Sequence, residues 1–114
     1  MAIHGRGLHP TMTAVASATG ANALTANIDA VDGKLTRIYG VDVSYSLVTS
    51  RQHVSINDAG VSKWASFVDR GFLSVDFGNA PIELSKSTSV QAVADQPGGS
   101  DNGRVVLRYT QNND

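Results

Sequence analysis

The sequence predicts a mainly β protein folded as one domain. Thirteen valines, eight threonines and five isoleucines stand against one glutamate and three lysines. Branched side chains pack well on a pleated surface, whereas Glu and Lys are residues that usually cover helices. Eleven glycines, seven asparagines and twelve serines supply turn positions. A chain of 114 residues can bury the core of one domain without disulfides or metal.

The chain divides into three parts. Residues 1–10 (MAIHGRGLHP) show no periodicity and end at a proline, so we expect a flexible, extended N-terminal arm there. Residues 11–110 carry the strand patterns and form the predicted β-sandwich domain. Residues 111–114 are polar, and we expect a frayed C-terminal tail.

The first half of the domain contains the strongest strand signal. Two short strands are predicted at Thr11–Ala18 and Ala23–Ile28, and a longer one at Leu35–Ser46 follows an Asp-Gly turn. In the longer strand, apolar residues alternate with polar ones from Val41 onward. Ile38 is out of phase with Val41, and a β-bulge at Gly40 would reconcile the two.

The later strands are shorter and are separated by polar turns. They are predicted at His53–Asn57, Gly71–Phe77, Ile82–Ser85, Ser89–Ala94 and Gly103–Thr110. In the last of these, Val105, Leu107 and Tyr109 face inward and Thr110 faces outward. Eight or nine strands with turns every eight to twelve residues indicate a sandwich or a barrel.

The segment Asp58–Gly71 fits two structures. As a helix it would begin at an Asp N-cap and end at a Gly, with Val61, Trp64 and Val68 at helical spacing. As a strand it would place Trp64 and Val68 on one face. The sequence leaves both alternatives open.

Composition excludes several classes of function. The formal net charge is −1 and there is no basic block, so we expect no nucleic-acid partner. Apolar stretches are too short for a membrane helix or a signal peptide. The absence of cysteine excludes disulfides, a thiolate nucleophile and cysteine-ligated zinc.

The candidate chemical residues do not form a recognisable active site. His4, His9 and His53 are scattered, and no G-x-S-x-G motif accompanies them. The loop Asp95–Asn102 has oxygen ligands but lacks the calcium-loop pattern. We therefore expect no enzyme, no metal and no cofactor.

Several motifs together resemble small jelly-roll proteins encoded among the structural genes of tailed bacteriophages. The similarity covers about Ala14–Thr110. It includes the strand Gly33–Ile38 (GKLTRI), the strand and turn Val54–Gly60, the segment Gly71–Phe77 leading to Ile82–Val93, and a closing strand that ends at Tyr109.

The resemblance implies a single jelly-roll-like antiparallel β-sandwich without catalytic activity. It implies a virion structural protein, foremost a capsid decoration (cement) protein that stabilises the shell surface after assembly in the host cytoplasm. Its partners would be the major capsid protein or other virion subunits, and such jelly rolls commonly form homotrimers. The alternatives are a carbohydrate-binding module, with a glycan as ligand, or a tail-fibre or baseplate module.

Two groups of residues are candidates for partner contact. The first comprises the arm residues Ile3, His4, Arg6, Leu8 and His9. Exposed apolar side chains on a flexible arm gain free energy only when a partner covers them. The second comprises Trp64, Phe67 and Phe72, which could pack in the core, form a subunit interface or offer a platform to a sugar. Together with Phe77 they form an aromatic cluster that favours a trimer.

Overall fold

The computed structural model describes residues 11–47, 51–69 and 71–113, and these ranges form an all-β sandwich of nine strands. The mainly β prediction is therefore confirmed, while the arm over residues 1–10 lies outside the described part of the chain. The strands are β1 (Met12–Thr19), β2 (Leu24–Ile28), β3 (Lys34–Tyr45), β4 (Gln52–Asp58), β5 (Val61–Val68), β6 (Phe72–Asp76), β7 (Ile82–Glu83), β8 (Val90–Ala94) and β9 (Asn102–Asn113). Over those same ranges, no helix has the length and apolar character needed to cross a membrane.

Two antiparallel sheets pack face to face. The first sheet has the order β1-β9-β3-β6, with the short β7 also paired to β3, and the second has the order β2-β8-β4-β5. The pairings are nested: β4 pairs with β5, β3 with β6, β2 with β8 and β1 with β9. The chain therefore passes from one sheet to the other at every connection except β4–β5 and β6–β7.

The core lies between the sheets and is built by alternating side chains, as the period-two patterns predict. Buried aliphatic residues from both sheets include Leu24, Ile28, Ile38, Val41, Val43, Val54, Ile56, Val90, Val105 and Leu107. Burying one such side chain contributes about 1.5–3 kcal/mol. The alternation leaves the outer faces of both sheets free to carry polar groups.

The bulge predicted at Gly40 is confirmed. Ile38 pairs with Tyr109 and Gly40 pairs with Arg108, so Tyr39 is an extra residue on β3. The extra residue reverses the alternation, and both Ile38 and Val41 are consequently fully buried.

The segment that could have been helix or strand supplies the turn and the second strand, β5, of the hairpin β4–β5. Ala59 and Gly60 have φ values of 50° and 88°, and positive φ at both positions is what a two-residue type I′ turn requires. A second bulge follows, because Asn57 pairs with Ser62 while Ile56 pairs with Trp64, leaving Lys63 as the extra residue.

The C-terminal boundary differs from the prediction. Strand β9 does not end at Thr110 but continues to Asn113, because the first part of β3 supplies a pairing partner for each added residue. The side-chain amide of Gln111 also donates through Nε2 to the Asp29 carbonyl oxygen at 2.9 Å. Thr110, predicted to face solvent, is buried beside its cross-strand partner Arg37.

Candidate functional site

The four aromatic residues singled out from the sequence separate into two pairs. Trp64 and Phe77 are half-buried against the core, with ring centroids 5.6 Å apart in an edge-to-face arrangement. Phe67 and Phe72 are 53% and 61% exposed. Side chains alternate between the two faces of a strand, which accounts for the difference. Phe67 lies three residues after the inward-facing Trp64 and therefore faces outward. Phe72 likewise directly precedes Leu73, which packs against the core.

Phe67 is held in place by its neighbours although half of it is exposed. The Arg51 guanidinium carbon lies 4.8 Å from the centre of the Phe67 ring. The His53 ring meets the same ring edge-on, with centroids 5.5 Å apart. Arg51 Nε also donates to Asp69 Oδ1 at 2.9 Å. These exposed contacts add little stability, about 0.5–1 kcal/mol each, but they limit the orientations available to the ring.

Phe67 and Phe72 occupy one edge of the sandwich, here called the β5–β6 edge. β5 is the last strand of the second sheet and β6 the last strand in the order of the first. The two strands are consecutive along the chain, and the Phe72 amide donates to the Asp69 carbonyl oxygen at 3.4 Å. Over residues 11–47, 51–69 and 71–113, no strand pairs with the outer side of β5. Exposed aromatics beside an unpaired strand are typical of a surface that another chain covers.

The side chain of His53 packs against an aromatic ring. The group that meets Asp95 is the His53 backbone amide, which donates to Asp95 Oδ2 at 2.8 Å. The His53 ring packs on Phe67. The geometry therefore gives His53 a place in the packing of the β5–β6 edge.

The carboxylates of the oxygen-rich loop 95–102 accept hydrogen bonds from neighbouring segments of the fold. Asp101 is 2% exposed, and its Oδ1 accepts hydrogen bonds from the Ser46 hydroxyl at 2.6 Å and from the Leu47 and Asn102 amides at 2.8 Å each. The bond from Ser46, opposed by burial and assisted by the amide bonds, lowers the pKa of Asp101. In the described ranges, no group of three or more His, Asp or Glu residues could hold a metal ion.

A second surface feature is an open cleft of about 710 Å³ beside the β1–β2 turn. Its lining combines hydroxyl and amide groups, small apolar surfaces and one arginine: Ser17, Ala18, Thr19, Asn22, Ala23, Ser44, Tyr45, Ser46, Asn102, Gly103 and Arg104. Arg104 is the cross-strand partner of both Ser17 and Ser44. Paired side chains on adjacent antiparallel strands share a face about 4.5–5.5 Å apart, so two hydroxyls flank the arginine.

Hydrogen bonds connect the β1–β2 turn at the rim of the cleft to neighbouring backbone. Asn22 donates through its side-chain amide to the Thr19 carbonyl oxygen at 2.7 Å. The Gly20 amide donates to the Asp101 carbonyl oxygen at 3.1 Å, and the Gly98 amide donates to the Gly20 carbonyl oxygen at 2.7 Å. The β1–β2 turn is thus tied to the loop before β9, which gives the cleft a defined shape.

Of the residues proposed from the sequence, the structure describes the aromatic group but not the arm. The arm candidates Ile3, His4, Arg6, Leu8 and His9 lie outside the described residues. The aromatic candidates are placed as above, and the period-two pattern already contained the signal that Phe67 and Phe72 face outward. The cleft around Arg104 was not predicted, because it depends on the register between the first and last strands.

Comparison with protein-family models and with curated proteins finds no match for this chain.

Proposed function

We propose that the chain is a virion structural protein of a tailed bacteriophage, a jelly-roll capsid decoration protein that acts as a homotrimer. It would bind the capsid surface and stabilise the shell by bridging neighbouring subunits. The proposal joins the resemblance of Ala14–Thr110 to such proteins with the geometry of the β5–β6 edge.

The nested strand pairing supports the jelly-roll part of the proposal. A jelly roll is a long antiparallel hairpin rolled into two four-stranded sheets. Leaving the two-residue β7 aside, the hairpin β4–β5 is enclosed by the pair β3–β6, then by β2–β8 and finally by β1–β9. This is the order that rolling such a hairpin would produce.

The observation that carries the proposal is the joint exposure of Phe67 and Phe72 on the β5–β6 edge. Covering one phenylalanine side chain contributes about 1.5–3 kcal/mol, and large aromatic residues are frequent anchors of protein interfaces. A neighbouring copy of the chain is the proposed cover. Phe67 is already oriented by Arg51 and His53, so little side-chain entropy would be lost on association.

Trimerisation would also explain how a small protein binds a shell firmly. When three copies form one rigid body, the second and third contacts with the shell become intramolecular. Effective concentrations in the millimolar range are typical of such tethering, and the overall affinity rises by orders of magnitude without new contacts. In the proposal the arm residues Ile3, His4, Arg6, Leu8 and His9 make the contacts with the capsid protein.

Light scattering on the purified chain tests the interface. A trimer of the 12.0 kDa chain has a mass of about 36 kDa. Phe67→Ser and Phe72→Ser should lower the mass toward that of the monomer. Val15→Ser is the matched control, since Val15 is 49% exposed on β1, at the opposite edge of the first sheet. A monomeric wild-type protein at micromolar concentration would contradict the trimer.

A further inference from the structure

We propose that the cleft beside the β1–β2 turn binds a sugar that carries a carboxylate, with Arg104 as the group that pairs with the carboxylate. Carbohydrate binding was only an alternative for the chain as a whole. The cleft now gives it a location that is separate from the β5–β6 edge.

Arg104 differs from the other arginines of the described residues in having no carboxylate partner. Three other arginines of the described residues are paired with carboxylates: Arg37 with Glu83, Arg51 with Asp69 and Arg108 with Asp42. Within the same ranges, Arg104 has no such partner. An unpaired guanidinium in a concave surface favours an anionic ligand, and its planar fork fits a carboxylate.

The groups around Arg104 are complementary to a sugar. Ser17 and Ser44 flank it across the strands, and Thr19 and Asn102 contribute a hydroxyl and a side-chain amide to the same lining. These groups can both donate and accept hydrogen bonds, as sugar hydroxyls do. Ala18, Ala23 and Tyr45 also border the cleft. Ala18 and Tyr45 pack toward the core, so the exposed polar face of the cleft is formed by Arg104, Ser17 and Ser44.

Asp101 is a carboxylate close to the cleft, and hydrogen-bond donors surround one of its oxygens. Asp101 lies beneath the rim, is buried and is not among the lining residues. One of its oxygens accepts hydrogen bonds from Ser46, Leu47 and Asn102. These donors partly offset the charge of Asp101, and the Arg104 side chain is exposed. Burial first, and then the charges of Asp95 and Asp101, raise the pKa of Tyr45, which lines the cleft.

Titration of the ¹⁵N-labelled full chain, followed by amide chemical shifts, tests the proposal with matched probes. Glucuronate and glucose differ in having a carboxylate or a hydroxymethyl group on the same ring, and galacturonate and galactose form a second pair. We expect the acidic sugars to shift the amides of Ser17, Ser44 and Arg104. We also expect the neutral sugars to bind at least about tenfold more weakly, because they lack the charge-assisted hydrogen bond.

Variants and a small anion complete the test. Arg104→Gln should abolish the preference for the acidic sugar, while Arg37→Gln, on the same sheet but outside the cleft, should retain it. Equal affinity for both members of a pair would overturn the carboxylate assignment. So would acetate binding as tightly as glucuronate, because the site would then hold an anion and not a sugar. If no probe shifts the amides around the cleft, the cleft is not a binding site. The trimer proposal rests on the separate β5–β6 edge and does not depend on these results.

Discussion

Replacement of Asp58 should destabilise the protein strongly, because this buried carboxylate fastens the β7–β8 connection to the end of β4. Asp58 is 4% exposed. Its Oδ2 accepts hydrogen bonds from the Ser85 amide at 2.9 Å and the Ser85 hydroxyl at 2.7 Å. The Thr88 hydroxyl lies 2.8 Å from Oδ1 and 2.7 Å from the Ser85 carbonyl oxygen, and its single hydrogen can serve only one of them at a time.

The size of the effect follows from these bonds. Asp58→Ala removes the acceptor from two or three donors, and a hydrogen bond to a charged group contributes about 1.5–3 kcal/mol. Ser85 is exposed, so water can replace part of the loss. We expect the free energy of unfolding to fall by about 2–4 kcal/mol for Asp58→Ala and by about half as much for Asp58→Asn, which keeps one acceptor oxygen.

The same carboxylate should make stability depend on acid. Burial alone would raise the pKa of Asp58, but the hydrogen bonds from Ser85 and Thr88, with Lys63 nearby, outweigh it and hold the pKa below its ordinary value of 3.8. A lowered folded-state pKa gives stability that is complete above the unfolded-state pKa and is lost as the pH falls through the folded-state value. The advantage of the wild type over Asp58→Asn should therefore be full at pH 7 and shrink below about pH 4.

Urea unfolding at pH 7 and at a series of acidic pH values measures both effects. Asp29→Ala is the control, because Asp29 is an exposed aspartate whose removal should change stability by less than about 0.5 kcal/mol. If Asp58→Ala matches this control at pH 7, or if the difference between wild type and Asp58→Asn is the same at pH 7 and pH 3, the reasoning is refuted.

Three further predictions concern the core, the arm and metal. Gly103→Ala should lower the free energy of unfolding by about 1–3 kcal/mol through overpacking, since a Cβ there would lie 2.7 Å from Leu24 Cδ2 and 3.1 Å from Pro97 Cγ; urea unfolding equal to wild type would contradict this. Deletion of residues 2–9 should leave the melting temperature nearly unchanged and weaken binding to undecorated capsids about tenfold or more; equally tight binding by the truncated chain would remove the arm from the interface. A chelator should leave the melting temperature unchanged, and a large decrease would reveal a structural metal.

Period-two alternation made most of the core predictable from sequence. Val54 and Ile56 on β4, and Val41 and Val43 on β3, are buried where the alternation places them. The bulge next to Gly40 was also predictable, because Ile38 and Val41 can face the same side of one strand only if an extra residue lies between them.

The β5 segment was ambiguous for a physical reason. Lys63 is an extra residue, so Val61 and Trp64 do not follow one uninterrupted alternation. Their spacing of three then resembles one turn of a helix. The bulge is specified by pairing with β4, which no local pattern contains.

The surface features depended even more on long-range pairing. The cleft forms because Arg104 on β9 lies between Ser17 on β1 and Ser44 on β3. These residues are far apart along the chain, and register between distant strands is set by the packing of the whole sandwich. By contrast, the outward direction of Phe67 and Phe72 follows from strand parity once β5 and β6 are known to be strands.

Binding to the shell is the measurement that tests the virion role most directly. Under the proposed virion role, undecorated shells of the cognate phage would be incubated with the purified protein and sedimented. The shells would then be heated in parallel with and without the protein. The account predicts saturable co-sedimentation in multiples of three chains and a higher temperature of shell disruption. A folded protein that stays in the supernatant at every concentration, and leaves the disruption temperature of the shells unchanged, would contradict it.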